Sequence, residues 1–209
     1  MTAKAKAVIM CGGKGRRMAG LEKPLIKILE RPLIDYALNA LIRCHKIEKV
    51  DFVSSQNTPA TTKYLIELGF EPFVGSGSSF LDDLLEYLRY QPQGDYLIVS
   101  CDIPTIKPHH IEAALKQSEN HNEGYLMYVL MYENVKGLSK IPSLINREGV
   151  DYQPAGLRYI RRKTGRPLEI SDPRLVVLPF WELGVNVNTV EDIVTAELIL
   201  KSSAEKINS

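Results

Sequence analysis

The sequence predicts an α/β protein in three layers, with a mainly parallel central sheet covered by helices on both faces. Three observations predict it. Short β-branched runs alternate with longer helical periods from residue 6 to residue 118. The run DYLIVSCD at 95–102 is continuously apolar rather than alternating, as in a strand buried on both faces. Strand–helix units in series favour parallel pairing through right-handed crossovers.

The elements follow in order. KAVIMC (6–11) reads as the first strand. PLIDYALNALIRC (32–44) carries Leu33, Ala37, Leu38, Leu41 and Ile42 at helical spacing. KVDFVS (49–54) is a second strand. NTPATTKYLIELG (57–69) reads as a helix with Thr58 as N-cap, Pro59 in the first position and Gly69 as the stop. A short strand, EPFVG (71–75), leads through the turn GSGSS (75–79) into the helix FLDDLLEYLRY (80–90), which repeats Leu81, Leu84, Leu85 and Leu88. After the buried strand at 95–102 comes the helix KPHHIEAALKQS (107–118). YLMYVLMYE (125–133) is a strand, either interior or at a dimer edge, and RLVVLP (174–179) is another. Between them, residues 134–173 show no clear period and read as an irregular insertion, functional or mobile. GVNVNTVEDIVTAELILKS closes the chain as a short strand and a helix from Thr189, with Asp192 in a capping-box position. No repeat or linker divides residues 1–209, so a single domain is expected.

Composition narrows the function. The 209 residues are 44% hydrophobic and 24% charged, with a net charge of +1. That balance does not indicate a nucleic-acid or anionic-membrane coat. Charge is nevertheless localised: Lys4, Lys6, Lys14, Arg16, Arg17, Lys23 and Lys27 face the single acid Glu22 within the first 27 residues. A neutral chain with a basic beginning implies a small anionic ligand. No segment reaches the roughly 18–20 apolar residues that a membrane span needs, and the N-terminus lacks a signal-peptide pattern. Cys11, Cys44 and Cys101 have no C-x-x-C spacing and read as reduced thiols in a cytoplasmic protein. The pair His109–His110 reads as a solvated helix start, not as part of a zinc site.

The turn after the first strand is the main chemical signal. Glycines at 12, 13 and 15 let the backbone approach an anion closely, and consecutive N–H groups there form a phosphate cradle. It is neither a Walker A loop, which needs G-x-x-x-x-G-K-[ST], nor the dinucleotide fingerprint, since Met18 stands where a glycine belongs.

The longer string CGGKGRRMAGLEKPLIKILERPLIDYAL resembles the signature of the nucleotidyltransferases that include molybdenum-cofactor guanylyltransferases and sugar-nucleotide pyrophosphorylases. The matching residues are Gly12, Gly13, Gly15, Arg17, Met18, Lys23 and Arg31-Pro32-Leu33. Cys11 replaces the usual alanine, and the Met-to-Lys interval is one residue longer. With that interval, and with SGSSFLDDL, QPAGLRYI and VNVNTVEDIVTAELIL, the chain is most similar to archaeal-type GTP:adenosylcobinamide-phosphate guanylyltransferases. The resemblance implies a three-layer, Rossmann-like nucleotidyltransferase sandwich. It also implies transfer of GMP from GTP to adenosylcobinamide phosphate, with Mg2+ as cofactor and a homodimer left open. A molybdenum-cofactor or sugar-phosphate nucleotidyltransferase is the alternative within the fold, and a non-catalytic nucleotide-binding regulatory protein the alternative outside it.

Such a reaction brings one anion against another, so cations and positioning matter more than a covalent nucleophile. Cys11, Gly12, Gly13 and Gly15 are assigned to the cradle, Lys14 and Arg17 to the outer phosphates, and Lys23 to the α-phosphate. Asp102, ending a buried strand, is the expected Mg2+ ligand. Asn188 is the second by family position, with Asn186 beside it on the same strand face. Ser54, Asn57 and the Gly75–Ser76–Gly77 loop flank the expected guanine pocket. Gly156 matches a family glycine on the acceptor side, and the irregular insertion at 134–173 is expected to supply the acceptor contacts. Arg17, Lys23 and Asp102 are the expected catalytic set.

Overall fold

In the computed structural model, which describes residues 4–13, 15, 20–122, 124–163, 170 and 172–205, the chain begins with β1 (Ala5–Met10) at the centre of a sheet. There follow the short pair β2 (Lys27–Ile28) and β3 (Arg31–Pro32), α1 (Leu33–Ile42), β4 (Ile47–Ser55), α2 (Pro59–Glu67), β5 (Phe73–Gly75) and α3 (Phe80–Arg89). Then come β6 (Gly94–Ser100), α4 (Pro108–Glu119), β7 (Tyr125–Met131), β8 (Ile145–Arg147), β9 (Val150–Arg162), β10 (Arg174–Val177) and α5 (Val190–Glu205). The strand order is β10-β7-β9-β6-β1-β4-β5, with β8 paired to β9. β1 runs parallel to β4 and β6, β4 to β5, and β10 to β7, while β9 is antiparallel to both its neighbours.

Alternation along β1 sets the layers. Ala7, Ile9 and Cys11 face one apolar core with α1, α2 and α4; Val8 and Met10 face the other with α3. A third cluster packs α5 through Ala196 onto Ile28, Leu33 and Val187. The expected three layers and mainly parallel sheet are present, with three helices on one face and α3 on the other.

Three expectations are corrected. Residues 134–173 are not an irregular insertion: they contain β8 and the thirteen-residue β9, which fills the sheet between β6 and β7. Pro154 and Gly156 within β9 disguised it, because neither suits a regular strand. Residues 184–188 form no strand; a 3-10 turn over Trp181–Gly184 leads into irregular backbone, so the same-face argument for Asn186 and Asn188 does not apply. His110 is fully buried, and only His109 is exposed. Of the two placements left open for the strand at 125–131, the interior one is observed, between β10 and β9.

Candidate active site

The parallel pairing of β1 with β6, in register Met10↔Ser100, sets the glycine turn beside Cys101 and Asp102. Both lie at the carboxyl ends of their strands, where open α/β sheets bind ligands. A cleft of about 530 Å3 opens there. Its walls are Cys11–Gly13 on one side, Gly77–Phe80 on another, and Lys23, Cys101 and Asp102 on a third.

Lys23 and Asp102 line this cleft, and Asn188 joins them through Lys23. The Lys23 ammonium donates to Asp102 Oδ2 at 2.5 Å and to Asn188 Oδ1 at 2.9 Å. The Lys23 and Asp102 side chains are each 18% exposed, so solvent screens the pair only in part. Lys23 opens a 3-10 turn, Lys23–Leu25, which fixes its starting point. Asn188 is held by Asp192, whose buried carboxylate accepts from the amides of Asn188, Thr189 and Lys140. Asp192 N–H in turn donates to Thr189 Oγ1, completing the expected capping box. Val187 N–H donates to the Asp102 carbonyl, which ties this loop to the end of β6.

Asp102 Oδ1 is buried and has no hydrogen-bond partner. Among the described residues no group of three or more His, Cys, Asp or Glu gathers as a self-sufficient metal site. One carboxylate with a spare oxygen, plus one amide oxygen, fits a hard cation that takes its remaining ligands from phosphate and water. Magnesium fits the chemistry of these residues, and Asp102 and Asn188 are the side chains that would hold it.

On the base side the structure redistributes roles. Ser54 turns toward α2, where Thr62 Oγ1 donates to its hydroxyl, and it does not line the cleft. Its neighbour Ser55 supports the site instead, donating to the Gly12 carbonyl at 2.6 Å and accepting from Asn57 N–H. Asn57 Nδ2 donates to the Gly77 carbonyl, so this side chain braces the loop. Gly77 has φ +75°, and a Cβ there would overlap Asn57. Gly75 packs closely against Asp83, and Ser76 Oγ donates to it.

Sequence reasoning missed Asp83. It is 3% exposed, lines the cleft, and its Oδ1 accepts from Gly77 N–H at 2.9 Å. Its position among the leucines of α3 reads as core, and the one available signal was a carboxylate at a buried helical position. Glu22 was also passed over. Its carboxylate accepts from Ala60 N–H, Thr61 N–H and Thr61 Oγ1, pinning the opening loop to the start of α2. Thr58 stands at the N-cap of α2 but makes no side-chain cap bond, its hydroxyl being engaged with the Ser55 backbone.

Cys11 lines the cleft but donates its thiol to the Val53 carbonyl. Burial, with smaller contributions from Cys101 and Glu22, holds this thiol well above its ordinary range. Burial and the adjacent Asp102 push Cys101 up to about 12. Neither thiol is a nucleophile at neutral pH. Gly156 and Asn186 lie apart from the lysine cluster, on a second cavity of about 170 Å3. Gly15 has φ +58° beside the Leu21 carbonyl. Lys14 and Arg17, expected at the outer phosphates, lie outside the described residues, as does Arg16.

A family model described as a MobA-like NTP transferase domain matches residues 7–162. The chain is 30% identical to the adenosylcobinamide-phosphate guanylyltransferase of Methanocaldococcus jannaschii, over 93% of this chain and 97% of that protein. It is 28% identical to a molybdenum cofactor guanylyltransferase of Shewanella woodyi, over 57% of this chain and 60% of the relative. Among solved structures, a CMP:2-keto-3-deoxy-manno-octonic acid synthetase complexed with CTP aligns with a TM-score of 0.68 at 15% identity. That alignment covers 96% of this chain and 100% of the other. Likeness at that identity concerns the fold.

Proposed function

The chain belongs to the MobA-like NTP transferase family and is a nucleotidyltransferase, and from that premise we propose that it moves GMP from GTP to adenosylcobinamide phosphate, releasing pyrophosphate, in cobalamin biosynthesis. The observation that carries the chemistry is Asp102, a carboxylate beside the glycine turn with one oxygen buried and unpartnered. Coverage favours this acceptor over the molybdenum cofactor: the cobinamide relative aligns across 93% of the chain, the Shewanella woodyi enzyme across 57%.

The acceptor needs little activation, because a phosphate monoester with a second pKa of about 6 is mostly dianionic at neutral pH. The obstacle is repulsion between anions. Lys23 lines the cleft, and its ammonium would face the α-phosphate and the charge developing there. The backbone of Gly12 and Gly13 offers a surface without side chains to the phosphate tail. Asp83 offers carboxylate oxygens of the kind that guanine's adjacent N1–H and N2–H donors need. Mg2+, held by Asp102 and Asn188 with phosphate oxygens, would neutralise the pyrophosphate that leaves. A cytoplasmic setting accords with three buried, free thiols.

The test is pyrophosphate release by the purified protein with Mg2+, offering GTP, CTP or UTP against adenosylcobinamide phosphate, molybdopterin or glucose 1-phosphate. Turnover is expected with GTP and the cobinamide ester. Turnover confined to molybdopterin or to the sugar phosphate would replace the acceptor, and none with any pair would remove the activity.

A further inference from the structure

Gln153, Gly156 and Arg158 of β9 line the second cavity with Met127 of β7 and Asn186, and the cavity shares Ser100 with the nucleotide cleft. Among the described residues, six buried side-chain polar atoms lack a hydrogen-bond partner. Three of the six belong to this cavity's lining: Gln153 Oε1, Arg158 Nη1 and Asn186 Oδ1. Folded proteins satisfy nearly all such groups, so three around 170 Å3 point to a ligand that completes them.

The chemistry of that ligand can be read from the atoms. Gln153 is 2% exposed, and its Nε2 donates to the Gly184 carbonyl at 2.9 Å. That bond fixes the amide, so the free atom is an oxygen and awaits a donor. Arg158 lies 4.2 Å over the Phe80 ring, and among the described residues no carboxylate forms an ion pair with it. Its neighbour Arg161 differs, donating to Asp95 at 3.1 Å. A half-buried guanidinium without a counter-charge is costly unless an anion arrives. Phe80 lines the nucleotide cleft while Arg158 lines the second cavity, so the guanidinium stands in the wall between the two.

The strand is built to place it there. β9 pairs Arg158 with Met127 but Pro154 with Val129, so four steps on β9 answer two on β7. This bulge centres on Gly156, whose φ is +68° and where a Cβ would overlap the Ile103 side chain. Bulges of this kind re-aim the side chains that flank them.

We propose that this cavity seats the acceptor, with Arg158 binding its phosphate and the Gln153 and Asn186 carbonyl oxygens accepting from N–H or O–H groups close to that phosphate. The inference rests on the guanylyltransferase reading and deepens it by naming the groups opposite GTP. The substrate class is a phosphate monoester whose body carries amide or hydroxyl donors. Held there, an acceptor phosphate oxygen attacks the α-phosphorus and forms the new P–O bond. The bond from the α-phosphorus to the α–β bridging oxygen breaks, and pyrophosphate leaves with that electron pair.

Arg158→Gln and Arg158→Lys are compared with the wild type under saturating Mg2+. The expected result for Arg158→Gln is a KM for adenosylcobinamide phosphate raised about 100-fold, with the KM for GTP within about two-fold. Arg158→Lys, which keeps charge but loses the fork, recovers about ten-fold of that. Wild type should also bind adenosylcobinamide phosphate more tightly than adenosylcobinamide, and Arg158→Gln should lose that preference. A raised KM for GTP with an unchanged KM for the acceptor would move Arg158 to the nucleotide and overturn the inference. Wild-type crystals soaked in tungstate give a reading independent of turnover and of variant folding. Tungstate on Arg158 is expected, and tungstate confined to the glycine turn would overturn the cavity assignment. Tungstate on Arg158 in a protein that ignores adenosylcobinamide phosphate would leave the cavity standing and retire the named acceptor.

Discussion

Lys23 holds an acid and an amide oxygen at once, joining three residues separated by 79 and 165 positions in sequence. Replacing Asp102 by Asn keeps the volume and removes the charge, so folding should survive while Mg2+-dependent pyrophosphate release falls by about three orders of magnitude. Equal activity in that variant would take Asp102 out of the reaction. Lys23→Ala should lower kcat more than it raises the KM for GTP, because its partner charge develops during transfer. Steady-state kinetics with GTP as the varied substrate separates the two. Lys23 and Asp102 were legible because a strand end and a family string mark them. Ser54 was misplaced by one step, since a shift of one residue reverses the face of a strand. Asp83 stayed hidden because its partner is the backbone of a loop six residues earlier.

Among the elements, helix starts carry much of the site's rigidity. Glu22 satisfies the first amides of α2 from outside that helix. Glu22→Gln should lower the Tm by about 3–6 °C, the scale of a lost charged cap in a chain of this size. Differential scanning calorimetry measures it directly. At the start of α4, Lys107 N–H donates to His110 Nδ1 at 3.2 Å, and the ring packs against Phe180. Burial, then the charges of His109 and Lys107, holds this imidazole down at about 3, against an ordinary 6.5. The unfolded chain therefore takes up a proton that the folded chain refuses. The stability this group contributes is complete above about pH 6.5 and drains away as pH falls toward about 3. The Tm should decline between pH 6.5 and 5, and His110→Gln should flatten that decline. Periodicity located the five α-helices of the described residues, and most strands, to within a few residues. It failed at β9, where the bulge breaks the period of two and arginines at 158, 161 and 162 mimic a loop.

The whole molecule keeps its thiols out of reach. Cys11, Cys44 and Cys101 are all buried and free, and burial raises the pKa of each. Fewer than one thiol per native chain should react with Ellman's reagent at pH 8, rising to all three in guanidinium; rapid labelling of the native protein would contradict this packing. The central position of β9 has a consequence for synthesis. β6 and β7 are complete by residue 131, yet the strand that separates them ends at Arg162. A chain emerging from the ribosome thus carries open strand borders on one side of β6 and both sides of β7 for some thirty residues. During that interval it is exposed to wrong partners and to chaperones, until the segment that bears Arg158 arrives and zips the two halves of the sheet together.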